Sequence, residues 1–154
     1  MRIAVPVVKS GDKILLVPHF GRAPSFAIID LDGNSYRIVE IFQNPFLTHS
    51  HGRGVGIVNE LVKKGVNTLV SLGAGYGAYY RLRELGIKIY YVTPPNGKKT
   101  MTLQEAIEMF LSGKPRKPQV PEKKTRNTTR KHLGFSTFLS LSIFTICRDR
   151  YHEY

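Results

Sequence analysis

The histidine at position 19 lies in a segment whose composition suits metal or anion binding. Residues 19–24 read HFGRAP and stand between two predicted strands. A histidine on a loop bounded by glycine and proline can present a neutral imidazole to a metal ion. The guanidinium of Arg22 would attract an anionic ligand through charge-assisted hydrogen bonds. His19, Phe20, Gly21 and Arg22 are therefore candidate binding residues, and the alternative is a loop histidine hydrogen-bonded to backbone.

A pair of histidines precedes a predicted helix. His49 and His51 have H-x-H spacing, and Gly52 follows them at the helix start. The partial positive charge of a helix N-terminus favours anionic ligands there. Two histidines supply only two metal ligands, and adding His19 would give a set of three with open coordination positions. The alternative is that a serine or threonine of the same segment caps the helix and the histidines are solvated.

A glycine-rich turn follows the fourth predicted strand. Gly73 and Gly75 belong to the sequence GAGYGA, which matches G-x-G-x-x-A between a strand and a helix. A dinucleotide site would place this turn in the first βα unit, with an acidic residue about 20 positions later. Position 95 is proline, which argues against NAD binding. The glycines still allow backbone N–H groups to approach an anion, or simply allow close helix packing.

The elements that must position these segments indicate a mixed α/β fold. Apolar runs and β-rich segments predict strands at residues 2–8, 25–31, 35–42, 67–72 and 87–92. Helical periodicity predicts helices at residues 53–64, 76–85 and 102–113. A capping box at Thr102 and Glu105 marks the start of the last helix. A three-strand meander followed by alternating units predicts a five-stranded mixed sheet covered by helices.

Four segments together resemble the dinitrogenase iron-molybdenum cofactor biosynthesis family. They are MRIAVPVV at the N-terminus, PHFGRAPSFAIID, NPFLTHSHGRG and the turn at residues 73–78. The family includes nitrogenase accessory factors of the NifX type and the C-terminal domain of NifB. The resemblance covers residues 1–114 and implies a ribonuclease H-like motif. That motif is a five-stranded mixed sheet of order 3-2-1-4-5, with strand 2 antiparallel, flanked by helices.

The resemblance also implies a function in cofactor handling. It implies transient binding or carriage of an iron–sulfur or iron–molybdenum cluster, or its precursor, without catalysis, between donor and acceptor proteins. The matching positions are His19, Phe20, Gly21, Arg22, His51, Gly52, Gly73 and Gly75. His49 is an additional histidine outside the family pattern and a further candidate metal ligand.

Composition limits the remaining possibilities. The chain has 154 residues, 42% of them hydrophobic, which indicates one packed domain and excludes wholesale disorder. Its one cysteine, Cys147, excludes an intramolecular disulfide and a multi-cysteine metal cage within the chain. No secretory signal peptide is visible, so we expect a cytoplasmic protein. A nuclease or phosphohydrolase would need convergent carboxylates, which the first strand lacks.

The basic charge is concentrated towards the C-terminus. Lys and Arg number 23 against 11 Asp and Glu, a formal net charge of +12. Residues 115–131 hold half of this excess, with seven basic residues and one acid. They are predicted to form a solvated linker, and the alternative is a nucleic-acid-binding segment with salt-dependent affinity.

The end of the chain is apolar-rich. Residues 132–154 include an uncharged stretch of 15 residues, which is too short for a membrane span of about 20 residues. No membrane span is therefore expected, and neither the order of this tail nor the oligomeric state is predicted. The expected organisation is a domain at residues 1–114, a linker at 115–131 and a tail at 132–154.

Overall fold

Buried strands and amphipathic helices make up residues 1–113, the part of the chain that the structure, a computed structural model, describes. The strands are β1 (Arg2–Ser10), β2 (Lys13–Leu16), β3 (Ser25–Asp32), β4 (Ser35–Gln43), β5 (Thr68–Ser71) and β6 (Lys88–Tyr91). The helices are α1 (Arg53–Lys63), α2 (Tyr76–Glu84) and α3 (Leu103–Leu111), with short 3-10 turns at Phe20–Arg22 and Pro95–Gly97. The expectations for the linker at 115–131 and the tail at 132–154 lie outside the described residues.

The strands form one mixed sheet in the order β4-β3-β1-β5-β6, and β2 pairs with β1 beside this path. β1 is antiparallel to β2 and β3 and parallel to β5, which is parallel to β6. The predicted mixed α/β architecture with helices flanking a multi-strand sheet is confirmed. The predicted count of five strands is wrong, because Lys13–Leu16 forms a sixth strand. Gly11, at φ 61°, makes the tight turn that folds this short strand back onto β1.

Pro6 lies inside β1, where it cannot donate a backbone hydrogen bond. Its carbonyl accepts the Val17 N–H at 3.3 Å, on the side of β1 that faces β5 and β2. In a strand, the N–H and C=O of one residue point to the same side, so the missing donor faces this side too. β5 pairs with β1 up to Ala4, and β2 pairs from Val7 onwards. The proline therefore lies where β1 changes partners.

Helices cover both faces of the sheet. α1 and α2 pack on one face, where Phe26 and Leu82 are fully buried. α3 packs on the other face against a second apolar cluster that includes Ile29 and Ile107. Burial of each such side chain contributes about 1.5–3 kcal/mol relative to leaving it exposed. The sheet is consequently packed on both faces, and the loops at its ends are joined to this core.

Arg2 stabilises the end of the sheet where β1 begins. Its Nε donates to Asp30 Oδ1 at 2.7 Å, and its Nη1 donates to the Lys64 carbonyl at 2.9 Å, just beyond α1. The hydrogen bond from Arg2 holds the pKa of the Asp30 carboxyl below its usual value. These contacts join β1, β3 and the end of α1. They lie at the end of the sheet where β1, β5 and β6 begin, opposite to the end where these strands finish.

α3 begins at the predicted capping box, which is confirmed. The Thr102 Oγ1 accepts the Glu105 N–H at 3.2 Å, and the Glu105 Oε2 accepts the Thr102 N–H at 2.8 Å. The bond from the Thr102 backbone is the main reason that the pKa of Glu105 is lowered. Among the helices of residues 1–113, none is long and apolar enough to cross a membrane.

Candidate functional site

Three loops meet at one edge of the sheet because of the strand directions. The parallel strands β1, β5 and β6 run towards this edge, and the antiparallel β3 begins there. β4 is antiparallel to β3 and ends at the same edge, with Gln43 opposite Ser25. The segments 17–24, 44–52 and 72–75 therefore lie at one edge, and they contain all the binding residues predicted from the sequence.

The first loop carries His19 and Arg22 on a 3-10 turn. Phe20 is 1% exposed and packs edge-on to Phe26, with ring centroids 5.3 Å apart. His19 and Arg22, on either side of this anchor, are exposed. The backbone N–H of Arg22 donates to the His19 carbonyl at 3.2 Å, which closes the turn. The buried phenylalanine thus fixes the turn and leaves an imidazole and a guanidinium in solvent.

Asn44 joins the first loop to the second and is a residue that the sequence analysis missed. It is only 5% exposed. Its Nδ2 donates to the Ala23 carbonyl at 2.9 Å, and its Oδ1 accepts the Phe46 N–H at 2.9 Å. The backbone N–H of Asn44 also donates to the Pro24 carbonyl at 2.9 Å. The feature of the sequence that could have indicated Asn44 is its position, directly after a predicted strand and before a proline.

The second loop carries the histidine pair and leads into α1. His49 and His51 are both exposed, and the His49 ring lies edge-on to Phe46 with centroids 5.3 Å apart. The N-cap of α1 is Gly52, at φ 72°, a left-handed conformation that glycine adopts without strain. No side chain caps this helix, and its first turn holds no acidic residue. The serine or threonine cap considered from the sequence is therefore absent from α1.

The third loop is the glycine turn between β5 and α2. The N-cap of α2 is Gly75, which also lacks a side-chain cap hydrogen bond. An added Cβ at Gly75 would meet no atom within 4 Å, and the φ of this residue is −70°. An added Cβ at Gly73 would meet only the Pro18 carbonyl oxygen, at an ordinary 3.5 Å. Packing therefore does not explain why these two residues are glycine.

Close packing brings the three loops side by side. A Cβ at Gly54, in the first turn of α1, would lie 3.0 Å from the Ala78 Cβ of α2. A Cβ at Gly21 would lie 3.3 Å from the Gly54 backbone nitrogen. Both contacts are tighter than a side chain normally tolerates, so the glycines let the 3-10 turn, α1 and α2 approach one another. The two helix starts and the His19 turn therefore form one continuous surface, which we call the loop edge (residues 17–24, 44–54 and 72–78).

The loop edge does not assemble the three-histidine metal set considered from the sequence. Within residues 1–113, no group of three or more His, Cys, Asp or Glu side chains could hold a metal ion. His19, His49 and His51 instead stand as separate exposed side chains. A closed metal site would need convergent ligands at about 2 Å from the ion, and these three do not converge.

The charge at the loop edge is positive. Within the described residues, neither Arg22 nor Arg53 forms a salt bridge with a carboxylate. Among the described residues, the Arg53 Nη1 donates only to the Leu47 carbonyl, at a long 3.5 Å. Two uncapped helix N-termini add partial positive charge and backbone N–H donors. This combination suits an anionic group better than a bare cation.

The described part of the chain is similar to several known proteins. A family model described as dinitrogenase iron-molybdenum cofactor matches residues 1–113. The uncharacterized protein MJ0580 of Methanocaldococcus jannaschii is 32% identical over 114 residues, which span 74% of this chain and 88% of that protein. The apo form of the orange protein of Desulfovibrio gigas is 30% identical with a TM-score of 0.65, over 79% of this chain and 96% of that one. A Thermotoga protein provisionally named NifB is 30% identical with a TM-score of 0.60, over 75% and 91% of the two chains.

The matched region contains the whole sheet and every residue of the loop edge. The family match covers well over half of the chain, and the M. jannaschii relative is similar over nearly all of its own length. The sequence and the fold therefore lead to one assignment. This chain belongs to the dinitrogenase iron-molybdenum cofactor family.

Proposed function

We propose that this protein transiently binds an iron–sulfur or iron–molybdenum cluster, or a precursor of one, and carries it between a donor and an acceptor protein without catalysing a reaction. The observation that carries this proposal is the pair of uncapped helix starts, Gly52 of α1 and Gly75 of α2, held side by side at the loop edge. Membership of a family named for the iron-molybdenum cofactor supports this choice of cargo.

The electrostatics of the loop edge favour an anionic cargo. Clusters built from metal and sulfide ions commonly carry net negative charge. Helix N-termini stabilise anions through their N–H groups and partial positive charge. The guanidinium groups of Arg22 and Arg53 add full positive charge on the same surface. An anionic cluster would consequently be attracted by the local field, even though the loop edge has no closed ligand cage.

The ligand set explains why binding would be transient. Iron–sulfur clusters are usually held by cysteine thiolates. Residues 1–113 contain no cysteine, since Cys147 is the only one in the chain. Exposed imidazoles such as His19 and His51 can exchange with solvent or with ligands of another protein. Loose binding of this kind suits a carrier, which must release its cargo to an acceptor.

Each candidate residue then has a distinct role. We assign His19 and His51 as exchangeable ligands and Arg22 as the charge that attracts the cargo. Gly52 and Gly75 expose backbone N–H groups to it, and Gly73, whose own N–H donates to the Ser71 hydroxyl, shapes the turn that precedes Gly75. Phe20 anchors the His19 turn by its burial, and Gly21 permits the turn to contact α1. Of His19, His49 and His51, we consider His49 the least suitable ligand, because its ring packs against the Phe46 ring.

The absence of a catalytic role is part of the proposal. The strand order and the antiparallel β3 support the assignment to a ribonuclease H-like motif. Nucleases of that architecture need convergent carboxylates to bind two metal ions. Asp30 of β3 is instead ion-paired with Arg2 at the end of the sheet remote from the loop edge. Fold similarity alone therefore gives no reason to assign hydrolytic chemistry.

Anaerobic reconstitution tests the proposal directly. The full chain would be incubated with ferrous iron, sulfide and molybdate, desalted, and analysed for iron, molybdenum and sulfide per chain. We expect the wild-type protein to retain all three, and His19→Ala and His51→Ala each to lose most of the retained metal. His49→Ala is the matched control, because it removes an exposed imidazole from the same loop.

The same measurements identify the result that contradicts the proposal. All three substituted residues are exposed, so we expect the Tm of each variant to lie within about 2 °C of the wild-type Tm. A loss of about 1 kcal/mol in the free energy of unfolding would shift the Tm by more than this. If His19→Ala and His51→Ala retain as much metal as wild type, the ligand assignment is wrong. If the wild-type chain retains none, the carrier function itself is wrong.

A further inference from the structure

The strand β4 forms an edge of the sheet, and no strand of residues 1–113 pairs with its outer side. It is the first strand in the order β4-β3-β1-β5-β6, and it is nine residues long. Its side chains are exposed or half-buried, and they include Tyr36, Ile38 and Val39, which are 41%, 42% and 40% exposed. The backbone groups on the outer side of an edge strand can pair with another strand. β4 is therefore a surface to which a further strand can be added.

A bulge in β4 brings two opposite charges to the same face of the sheet. In the pairing with β3, Arg37 lies opposite Asp30. Glu40 follows Arg37 by three residues but lies opposite Ile28, only two residues before Asp30. The extra residue is Val39, which has no partner in β3. Residues three apart in a regular strand point to opposite faces, and the bulge removes this difference, so Arg37 and Glu40 share a face.

The contacts of the two charged side chains agree with this placement. The Glu40 Oε1 accepts a hydrogen bond from the Lys64 Nζ at 2.8 Å, just beyond the end of α1. The Arg37 Nη2 lies 3.7 Å from the Asp30 Oδ2, and the same carboxylate binds Arg2, which also donates to the Lys64 carbonyl. The side chains of Arg37 and Glu40 are nevertheless 78% and 42% exposed. Both can therefore reach a strand added beside β4.

Apolar side chains of β4 lie on the other face, which α3 covers. Tyr36 and Ile38 line a groove of about 410 Å³ together with Leu103 and Ile107 of α3. Ile41, on the same face, packs against the apolar cluster beneath α3. The edge strand thus presents an apolar row on one face of the sheet and one cation and one anion on the other.

We propose that two copies of this chain associate by antiparallel pairing of their β4 strands, in the register that places Arg37 of one copy opposite Glu40 of the other. A twofold axis between the strands repeats this pair, so the interface contains two Arg–Glu pairs. The same register places Tyr36 opposite Ile41 of the second copy, an aromatic and a β-branched residue that stabilise a sheet when paired. Charges on an edge strand oppose pairing with most strands, but here an identical strand supplies the complementary charges. The partner that fits this edge is therefore a second copy.

Antiparallel pairing leaves both candidate cargo sites accessible. β4 ends at the loop edge, where Gln43 lies opposite Ser25. The two β4 strands run in opposite directions, so the two loop edges lie at opposite ends of the joined sheet. The inference consequently does not depend on the proposed function, and cluster retention per chain is expected to be the same in the monomer and the dimer.

Sedimentation equilibrium of the full chain, over micromolar to millimolar concentrations, tests the pairing by charge reversal. We expect wild type to be a dimer in equilibrium with the monomer. Arg37→Glu and Glu40→Arg each turn two attractive pairs into two repulsive ones, so the dissociation constant should rise at least about 10-fold in either variant. The double variant Arg37→Glu/Glu40→Arg restores opposite charges across the interface and should recover most of the lost affinity. Lys88→Glu is the matched control, because it changes the net charge as Arg37→Glu does but lies on β6, the other end of the strand order.

Four results would overturn the inference. Wild type that stays monomeric at every concentration contradicts it directly. A dimer with the same dissociation constant in both single variants has its interface elsewhere in the chain. A double variant that recovers no affinity contradicts the register, and an equal effect of Lys88→Glu shows a general effect of net charge. Circular dichroism checks that each variant is folded, and where a reversal disturbs the fold, Arg37→Gln and Glu40→Gln replace it, with a smaller rise in the dissociation constant expected.

Discussion

At the scale of single residues, the loop edge depends on a buried amide more than on any charged group. Asn44 uses its side-chain Nδ2 and Oδ1 and its backbone N–H to bond four backbone groups, at Gly21, Ala23, Phe46 and Pro24. These bonds connect the His19 turn with the loop that carries His51. Since Asn44 is almost fully buried, water cannot replace them without a change in packing.

We expect Asn44→Ala to lower the free energy of unfolding by about 1–3 kcal/mol, the cost of leaving buried polar groups unpaired. It should also reduce the cluster retained after reconstitution, because the two loops that carry the proposed ligands His19 and His51 lose their connection. Urea unfolding and metal analysis measure the two effects. Asn59→Ala is the control, because Asn59 is exposed on α1 and accepts only a long 3.4 Å bond from Arg81. Equal stabilities of the two variants would contradict the role of Asn44.

Residue types and spacing pointed to the exposed residues of the candidate site but not to Asn44, the buried residue that joins its loops. His19, His51 and the glycines became candidates because imidazole and glycine have specific chemistry wherever they occur. Asn44 was missed because its partner carbonyl at Ala23 lies 21 residues away in the chain. Contacts that the fold creates leave little trace in a local pattern.

At the scale of elements, the loop edge brings the N-termini of two helices, α1 and α2, side by side. Gly54 and Gly75 lie at the starts of α1 and α2, respectively, but the structure uses them differently. Gly54 is required by packing, because a Cβ there would lie 3.0 Å from the Ala78 Cβ. Gly75 has open space around its Cα, so only an incoming ligand would be obstructed by a methyl group there. The two glycines can therefore separate a structural effect from a binding effect.

We expect Gly54→Ala to destabilise the fold, because overpacking costs about 1–3 kcal/mol and outweighs a helix-propensity gain of about 1 kcal/mol. Gly75→Ala should stay within about 0.5 kcal/mol of wild type, because the N-cap preference for glycine and the entropy gain of alanine roughly offset. It should nevertheless retain less cluster. Urea unfolding and anaerobic reconstitution measure both quantities.

Gly77→Ala is the matched control for Gly75→Ala. It adds a methyl group two residues later in α2, again with no atom within 4 Å. We expect its cluster content to equal that of wild type. If Gly75→Ala retains as much cluster as Gly77→Ala, the open space at Gly75 is not part of the binding surface.

At the scale of the whole molecule, the order of elements was predictable because each buried strand and amphipathic helix carries its own periodicity. β2 was missed in the sequence although Lys13–Leu16 is as long as β5 and β6, which were both predicted. Its hairpin nevertheless has a recognisable feature, the Gly11-Asp12 pair between β1 and β2. The net charge was the least informative global property, because half of it lies in residues 115–131, outside the family match.

The family domain and the basic segment at 115–131 are expected to act separately. All loop-edge residues lie within residues 1–113, so deleting residues 115–154 should leave cluster retention unchanged. The alternative function, nucleic-acid binding, would instead depend on the deleted residues. Seven basic residues of the segment 115–131 can neutralise phosphates there. Titration of duplex DNA with the full and the truncated chain, over a range of salt concentrations, tests this alternative. It would be supported if the full chain binds DNA with an affinity that falls steeply with salt and the truncated chain does not bind. Loss of cluster retention on truncation would show that the carrier site extends beyond the loop edge.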